Sequence, residues 1–298
     1  MLQPFISIVM PTYNRAALIG ETINSILRQT YQSWELLIVD DGSEDDTETV
    51  VKTYQDKRIQ FHKAGRTGSI IELRLKGMAI ATGELIAFMD SDDLWASEKL
   101  QKQVDAFAAY PDAGFSLTGG YNFSAPGEPL AFFYQQKNGV RYGHVLTAFF
   151  RSEVAMIFPT LVLQRQCMDR LNAVQQCAFD SDVDFLIVLA VHFKAVVIYE
   201  PLLFRRLHPD NNSSNDWEKG YADKIVVITA NQTKKIISSS LAREALFKLY
   251  INFGEDYIRR RLQAKAVKKF LKAWQNRPFS IIPFKKASKA VFSMLLHE

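Results

Sequence analysis

The 298-residue chain predicts an α/β fold: a mostly parallel central sheet flanked by helices, with a helical C-terminal extension. Two observations support this prediction. From residue 5 to residue 109, short β-rich runs alternate with helical periodicity, an order that favours parallel strands joined by crossover helices. From Lys219 to Arg277 the pattern is helical throughout.

The N-terminal elements follow from these patterns in order. Ile19, Ile23, Ile26 and Leu27 recur at helical spacing, and Gly83 is placed to end a helix as its C-cap. The predicted strands span residues 5–10, 35–39, 59–62 and 84–89, and the predicted helices span residues 16–29, 47–54, 70–81 and 98–109.

The middle of the chain is less regular. An acidic segment at 180–184 suits the positive end of a helix that follows it. The patterns here predict strands at 115–117, 154–163 and 195–199, a helix at 185–193, a long loop at 121–138 and a polar loop at 208–215.

Charge divides the chain into two parts. Residues 1–218 contain 19 basic and 27 acidic side chains, whereas residues 219–298 contain 17 basic and 5 acidic side chains. The two parts are therefore expected to face different partners.

The basic C-terminal part contains an amphipathic pattern over residues 257–274. Its apolar positions recur every four residues, at Ile258, Leu262, Ala266, Phe270 and Trp274. One interpretation is a helical subdomain with a solvated basic face. The other is a surface that binds anionic lipids, since basic residues beside Trp and Phe favour the membrane interface. No nucleic-acid-binding motif accompanies the charge, so nucleic acid is not an expected partner.

Composition allows a large buried core, since 48% of residues are hydrophobic and 23% are charged, and the low cysteine content predicts a reducing cytosol. The spacing of Cys167 and Cys177 is not a zinc pattern, and two cysteines in this length do not indicate a disulfide scaffold. We expect no signal peptide and no membrane span, because no apolar run reaches about 18 residues.

Acidic side chains follow one of the predicted strands. Asp90, Asp92 and Asp93 come directly after the apolar run 84–89. Carboxylates grouped at a strand end need a balancing cation or ligand, and hard oxygen ligands suit Mg²⁺ or Mn²⁺ holding a diphosphate. The alternative is an acidic loop that caps the next helix.

Polar residues also follow two other strands, at 11–14 and at Asp40 and Asp41. Ligands of open α/β sheets bind beyond the C-terminal strand ends. The sequence therefore predicts a ligand-binding crevice at this edge of the sheet.

Four segments, in order along the chain, resemble the motifs of family 2 inverting glycosyltransferases of the bacterial polysaccharide type. They read SIVMPTYNR (7–15), LRQTY (27–31), WELLIVDDGS (34–43) and ATGELIAFMDSDD (81–93). The resemblance implies the GT-A nucleotide-diphospho-sugar transferase fold. It predicts a catalytic domain at 1–215, with a nucleotide-sugar-binding half at 1–110 and an acceptor half at 111–215, and a basic helical extension at 216–298.

The resemblance also implies roles for individual residues. Asp41 would accept the imide hydrogen of a uracil-like base flanked by Thr12 and Tyr13, and Asp92 would coordinate the Mn²⁺ or Mg²⁺ that bridges both phosphates. Asp40 fits a strand-end turn better than it fits a base contact. The implied nucleotide-sugar-binding set is Pro11, Thr12, Tyr13, Asp41, Arg74, Asp90 and Ser91.

The predicted base and second metal ligand lie further along the chain. Inverting transfer needs a general base, and Asp182 occupies the base position of the family's Glu-Asp-x-Asp pattern. His208 occupies the position of a histidine that approaches the diphosphate or its metal. The chain departs from the family at Leu75, where Asn is usual, and at Ser181, where Glu is usual and the adjacent Asp180 could substitute.

The predicted function is transfer of a sugar, with inversion, from a UDP-sugar to a glycan or lipid-linked acceptor in cell-surface polysaccharide synthesis. The enzyme would work in the cytoplasm or at the inner face of the cell membrane. Two alternatives are a sugar-phosphate nucleotidyltransferase, which would release pyrophosphate, and a degenerate nucleotide-sugar-binding subunit. A glycoside hydrolase with paired carboxylates would not explain the strand-end motifs.

Overall fold

The chain forms two compact units in a computed structural model that describes residues 3–124, 128–133, 138–167, 181–208 and 217–295. The first unit comprises Met1–Leu146 and Val154–His208, and the second comprises Thr147–Glu153 and Pro209–Glu298. The division into domains at residues 215 and 216 stays a prediction. Asp180, Cys177 and residues 209–215 of the predicted loop at 208–215 lie outside the described residues.

A ten-stranded mixed sheet forms the centre of the first unit, in the order β3-β2-β1-β4-β9-β6-β10-β5, with β7 beside β6 and β8 beside β10. The strands are β1 Ile6–Thr12, β2 Trp34–Asp40, β3 Ile59–Lys63, β4 Leu85–Phe88, β5 Leu94–Trp95, β6 Ala113–Phe123, β7 Pro129–Phe132, β8 Val140–Gly143, β9 Val162–Gln164 and β10 Lys194–Arg206.

Parallel pairing is confined to part of this sheet. It joins β1 to β2 and β4, β2 to β3, and β6 to β10. The remaining described pairs are antiparallel. The α/β class is confirmed, and the parallel arrangement predicted from the β-α-β order holds for β1 to β4.

Helices flank the sheet and form the described part of the C-terminal extension. Ile19, Ile23 and Ile26 are fully buried, which confirms the helical face predicted for them. The helices are α1 Ile19–Leu27, α2 Thr47–Lys52, α3 Ile70–Ile80, α4 Lys99–Ala109, α5 Leu146–Phe150, a 3₁₀ turn at Phe158–Thr160, α6 Asp182–His192, α7 Trp217–Thr233, α8 Ser239–Arg259, α9 Gln263–Asn276 and α10 Ile282–Leu295.

The predictions for the middle of the chain were partly wrong. The strands predicted at 115–117 and 195–199 are parts of the longer β6 and β10, and the predicted loop at 121–138 contains the end of β6 and all of β7. Within 154–163 the structure has a 3₁₀ turn and only the start of β9. Gly119 and Gly120 lie between the predicted strand and the predicted loop, and a Cβ at either would lie within 2.4 Å of a β10 carbonyl oxygen. These glycines are therefore strand residues that permit close backbone approach.

The position of Gly83 suggested that it is the C-cap of α3, but the structure shows that it is not. The helix ends at Ile80, and Ala81 is already extended. The Gly83 amide donates to the Ser7 hydroxyl at 2.8 Å, and Ser7 donates to buried Glu35 at 2.6 Å. Hydrogen bonds lower the pKa of Glu35 although burial raises it. Gly83 thus permits the chain to pass close to β1 at the edge of the sheet opposite the strand C-termini.

The amphipathic pattern at 257–274 is divided between two helices. The helix α8 ends at Arg259 and α9 begins at Gln263, with Arg261 in the left-handed conformation at φ 59°. Ala266 and Phe270 are buried in the second unit, whereas Ile258 and Leu262 are exposed. Among the described residues, none of the helices is both long and apolar enough to cross a bilayer.

We predict that Gly83→Ala destabilises the protein. An added Cβ would lie 2.5 Å from the Phe5 carbonyl oxygen and 2.6 Å from the Ser7 nitrogen, and overpacking of this kind costs about 1–3 kcal/mol. Urea unfolding measures the loss. The control is Gly220→Ala in α7, where an added Cβ meets no described atom within 4 Å. Equal unfolding free energies for the two variants would contradict the close approach.

Candidate active site

The predicted crevice lies where β1 separates from β4. The two strands pair from Ile6 to Val9, and β1 then continues to Thr12 beside β2. The chain runs outward from β1 to β3 on one side and places β4 on the other, so this is the point where strand order reverses. Such switch points are the usual ligand sites of open α/β sheets. Pro11 is buried beyond the residues that pair with β4, where its missing N–H removes no bond to that strand.

The acidic turn Asp90–Asp93 is held by α1 and β10. The Thr22 hydroxyl donates to the carbonyl oxygens of Ser91 at 3.1 Å and Asp93 at 2.9 Å. The Arg206 amide donates to the Asp93 carboxylate at 2.9 Å. Burial, with the charges of Asp90 and Asp92, raises the pKa of Asp93 well above its ordinary value. Asp93 and Ser91 are thus buried parts of the turn, while Asp90 and Asp92 are more exposed.

Arg74 joins the acidic turn to the predicted base. Its side chain is 1% exposed and forms ion pairs with both Asp90 and Asp182. The guanidinium carbon lies 4.0 Å from the centroid of the Phe158 ring. Burial raises the pKa of Asp90 although Arg74 opposes the shift. In this state two protein carboxylates occupy the guanidinium, so the nucleotide contact expected of Arg74 stays a prediction.

Asp182 lies in the first turn of α6 without acting as its cap. The hydroxyl of Ser181 caps the helix by accepting from the Asp184 amide at 3.3 Å. Serine at the family's glutamate position therefore has a structural function, and Asp182 remains available to Arg74. A cavity of about 380 Å³ adjoins it between the first turns of α3 and α6, lined by Gly68, Ser69, Ile70, Ile71, Ser181, Asp182 and Val183. Ligand pockets in proteins start at about this size.

The two predicted metal ligands are neighbours. His208 Nε2 lies 3.1 Å from Asp92 Oδ2, and Arg15 Nε lies 3.3 Å from the same oxygen. In the described parts of the chain, three or more His, Cys, Asp or Glu side chains do not gather into a metal cage. A neighbouring carboxylate and imidazole fit an Mn²⁺ or Mg²⁺ ion that takes its other oxygen ligands from a diphosphate and water.

Asp41 is fully engaged by the loop that precedes α3. Its carboxylate accepts from the Thr67 amide at 2.5 Å, the Thr67 hydroxyl at 2.8 Å and the Gly68 amide at 3.0 Å. Arg66 donates to the same carboxylate, and its guanidinium carbon lies 3.8 Å from the Tyr13 ring centroid. Burial raises the pKa of Asp41, but these hydrogen bonds and the Arg66 charge outweigh it and lower the pKa overall.

This arrangement leaves Asp41 without a lone pair for another donor, because a carboxylate offers about four acceptor positions. The planar guanidinium of Arg66 lies over the aromatic face on which the nucleotide base is predicted to stack.

Asp40 and Thr12, at the ends of β2 and β1, differ in their hydrogen bonding. Asp40 accepts from the Gly42 amide at 3.1 Å and the Ser43 amide at 3.0 Å, as a turn residue does. The buried Thr12 hydroxyl has no hydrogen-bond partner among the described residues.

Sequence reasoning did not predict the contacts that three arginines make in this site. Arg15 contacts Asp92, and Arg66 contacts Asp41. Arg206 donates to the Asp92 carbonyl oxygen at 2.9 Å and pairs with Glu21 at 2.7 Å. The glycines that flank Arg66-Thr67 were a usable signal for a tight loop, since Gly65 and Gly68 have φ of 73° and 69°. The other two contacts join distant segments and leave no local pattern.

Comparison with known proteins identifies the domain. Residues 7–147 match the model of the family described as Glycosyl transferase family 2, so this part of the chain belongs to that family and the resemblance is confirmed. The chain is 29% identical over 218 residues to the putative teichuronic acid biosynthesis glycosyltransferase TuaG of Bacillus subtilis (strain 168), covering 72% of this chain and 84% of TuaG.

A shorter match involves the UDP-Glc:alpha-D-GlcNAc-diphosphoundecaprenol beta-1,3-glucosyltransferase WfgD of Escherichia coli. The two are 40% identical over 99 residues, which is 33% of this chain and 39% of WfgD. The match therefore spans less than half of that protein.

Solved structures share the fold. Residues 1–349 of S. aureus TarS align with a TM-score of 0.60 and 17% identity, covering 96% of this chain and 88% of that structure. The mannosyltransferase PcManGT from Pyrobaculum calidifontis, solved with GDP-Man and Mn²⁺, aligns with a TM-score of 0.53 and 19% identity, covering 100% of this chain and 77% of that one. The GT-A fold predicted from the sequence is confirmed.

We predict that Arg74→Met lowers the free energy of unfolding by about 3–5 kcal/mol, because it leaves two partly buried carboxylates without their counter-charge. The control is Arg58→Met. Arg58 also pairs with a carboxylate, that of Asp56, and lies 3.7 Å over the Trp34 ring, but its side chain is 32% exposed. The control should lose about 1–2 kcal/mol. Equal losses in urea unfolding would contradict a special role for the buried bridge.

Proposed function

We propose that this family 2 glycosyltransferase domain transfers a sugar, with inversion, from a UDP-sugar to a glycan or lipid-linked acceptor hydroxyl in cell-surface polysaccharide synthesis. One observation carries the proposal. Arg74 pairs with Asp182, the predicted base, and with Asp90 of the acidic turn, although Asp90 and Asp182 are far apart in sequence. A base and a diphosphate-binding turn at one point are what such a transfer requires.

The proposed donor lies across the strand ends. The uracil ring of the donor would stack near Tyr13 and Thr12 and donate its imide hydrogen to Asp41. Pro11 and Ser91 would shape the crevice, and Asp90 would lie near the ribose. A buried Thr12 hydroxyl that lacks a partner among the described residues supports a ligand there. The name of WfgD specifies UDP-Glc, and TarS has been crystallised with UDP and with UDP-GlcNAc. These ligands support uridine as the donor nucleoside.

We propose Asp92 and His208 as the residues that hold a divalent metal. Their 3.1 Å separation supports this assignment, as does the Mn²⁺ with which PcManGT was solved. When bound, Mn²⁺ or Mg²⁺ would neutralise the charge that develops on the departing diphosphate. Arg15, which contacts Asp92, would keep that carboxylate oriented in the absence of the ion.

Asp182 is the proposed general base. It would take the proton of the acceptor hydroxyl as the hydroxyl oxygen bonds to the anomeric carbon and the bond from that carbon to the diphosphate breaks. Its ion pair with the Arg74 guanidinium would fix the orientation of the carboxylate. The cavity beside Asp182 provides space for the reacting sugar or acceptor.

The acceptor class is proposed from two relatives. The name of TuaG assigns it to teichuronic acid biosynthesis, and the name of WfgD specifies a diphosphoundecaprenol acceptor. We therefore propose a glycan or a lipid-linked glycan as the acceptor. An acceptor carried by a lipid would place the protein at the inner face of the cell membrane, where its basic C-terminal helices would meet anionic lipid.

The reaction product separates this proposal from the nucleotidyltransferase and from the inactive subunit. We expect release of a nucleoside diphosphate with the donor and acceptor present, measured by chromatography of the nucleotide products. Pyrophosphate would support the nucleotidyltransferase, and absence of both products across a panel of acceptors would support a subunit that binds without turnover.

We predict that Asp182→Asn lowers kcat by at least about 100-fold, because the amide cannot accept the proton. The donor Kd should be unchanged, since Asp182 is not assigned a donor contact. Asp184→Asn is the matched control, because Asp184 lies in the same helical turn and its side chain bonds only to Ser181 within the described part of the chain. Normal transfer by Asp182→Asn would refute the base assignment.

Donor binding at Asp41 requires its present partners to move. Arg66, Thr67 and Gly68 occupy the acceptor positions of the carboxylate, and Arg66 covers Tyr13. A uracil ring that stacks on Tyr13 and bonds to the Asp41 carboxylate must therefore displace the Arg66 side chain. The apparent donor affinity is then reduced by the fraction of molecules in the open state.

We predict that Arg66→Ala strengthens donor binding several-fold, because the open state no longer competes with the Arg66 contacts. Calorimetric titration with a UDP-sugar gives the Kd. The matched control is Arg58→Ala, which removes another arginine stacked on an aromatic ring and paired with an aspartate. Weaker donor binding by Arg66→Ala would show instead that Arg66 contacts the bound donor.

A further inference from the structure

We propose that the second unit binds an anionic lipid bilayer through an apolar tip formed by the turn between α9 and α10 and by the first turn of α10. The tip consists of Phe279, Ile281, Ile282 and Phe284. Their exposed fractions are 102%, 62%, 47% and 48%. Such a concentration of exposed aromatic and branched aliphatic side chains marks an interaction surface in a soluble domain.

The tip has a defined conformation. The Trp274 indole donates to the Pro278 carbonyl oxygen at 2.6 Å, and its ring meets Phe284 edge-on with centroids 5.4 Å apart. The Ser280 amide donates to the Arg277 carbonyl oxygen at 3.0 Å. Pro283 is buried beneath the tip. These contacts fix the backbone turn that carries the apolar side chains.

Charge around the tip favours an anionic partner. Residues 259–289 contain 11 basic side chains and no acidic side chain. Arg277, Lys285 and Lys289 are exposed beside the tip, and Lys286 pairs with Glu255 of α8. Basic residues next to aromatic and aliphatic side chains match the headgroup and acyl layers of a bilayer that contains anionic lipid.

A bilayer fits these features better than another macromolecule does. Protein interfaces are depleted in lysine, and two copies of this surface would bring like charges together. Nucleic acid would use the charges and stack on Phe279, but it offers no apolar layer for Ile281 and Ile282. The proposal extends the lipid-linked acceptor of the proposed function, and its test requires no turnover.

Vesicle co-sedimentation of the full chain tests the proposal. We expect binding to vesicles of equal parts phosphatidylglycerol and phosphatidylcholine, weaker binding at high salt, and no binding to pure phosphatidylcholine. The double variant Phe279→Ser with Ile281→Ser should bind the anionic vesicles at least about tenfold more weakly. Val226→Ser is the control, since Val226 is as exposed as Ile281, at 62%, but lies in α7.

Absence of binding to the anionic vesicles, or equal binding by the double variant and the wild type, would overturn the proposal. Loss of a dimer or of nucleic-acid binding in the double variant, without vesicle binding by the wild type, would also overturn it. Product release with a water-soluble acceptor tests the proposed function separately. If no product is released, the vesicle result still stands. If the vesicles are not bound, the product measurement still stands.

Discussion

The rest of the site depends on the ion pairs that the buried guanidinium of Arg74 forms with Asp90 and Asp182. A charge at 1% exposure is tolerated because two carboxylates and the face of Phe158 replace its water. The same two ion pairs fix the first turn of α6 beside the turn that follows β4. The arginine therefore makes one site out of segments that the sequence separates widely.

The sheet supplies the place for this interaction. Separation of β1 from β4 after Val9 opens a crevice at the point where strand order reverses. Thr22 and Arg206 hold the acidic turn at its edge, and Asp92 lies 3.1 Å from His208, which follows β10. Preorganised charge of this kind would need little reorganisation to bind the proposed diphosphate and metal. On the other side of β1, Asp41 is bound by the loop that precedes α3, so the proposed donor would have to compete with that loop.

Local patterns predicted the part of the fold in which they are strongest. The isoleucines of α1, the β1–β4 alternation and the acidic residues at strand ends were all legible. The full lengths of β6 and β10 were not, because Gly119 and Gly120 in β6 and Pro201 in β10 locally interrupt a strand pattern. The Arg66 contact with Asp41 and the Arg74 bridge depend on tertiary contacts. Periodicity could suggest residues for the site, but it could not say which arginine meets which carboxylate.

The central claim is that this site binds a UDP-sugar through a divalent metal. The most direct measurement is calorimetric titration of the wild-type chain with a panel of UDP-sugars in Mn²⁺, in Mg²⁺ and in chelator. We predict binding of at least one UDP-sugar in metal and its loss in chelator. If well-folded protein bound none of them in either metal, the claim would be contradicted and the acidic turn after β4 would be a structural feature.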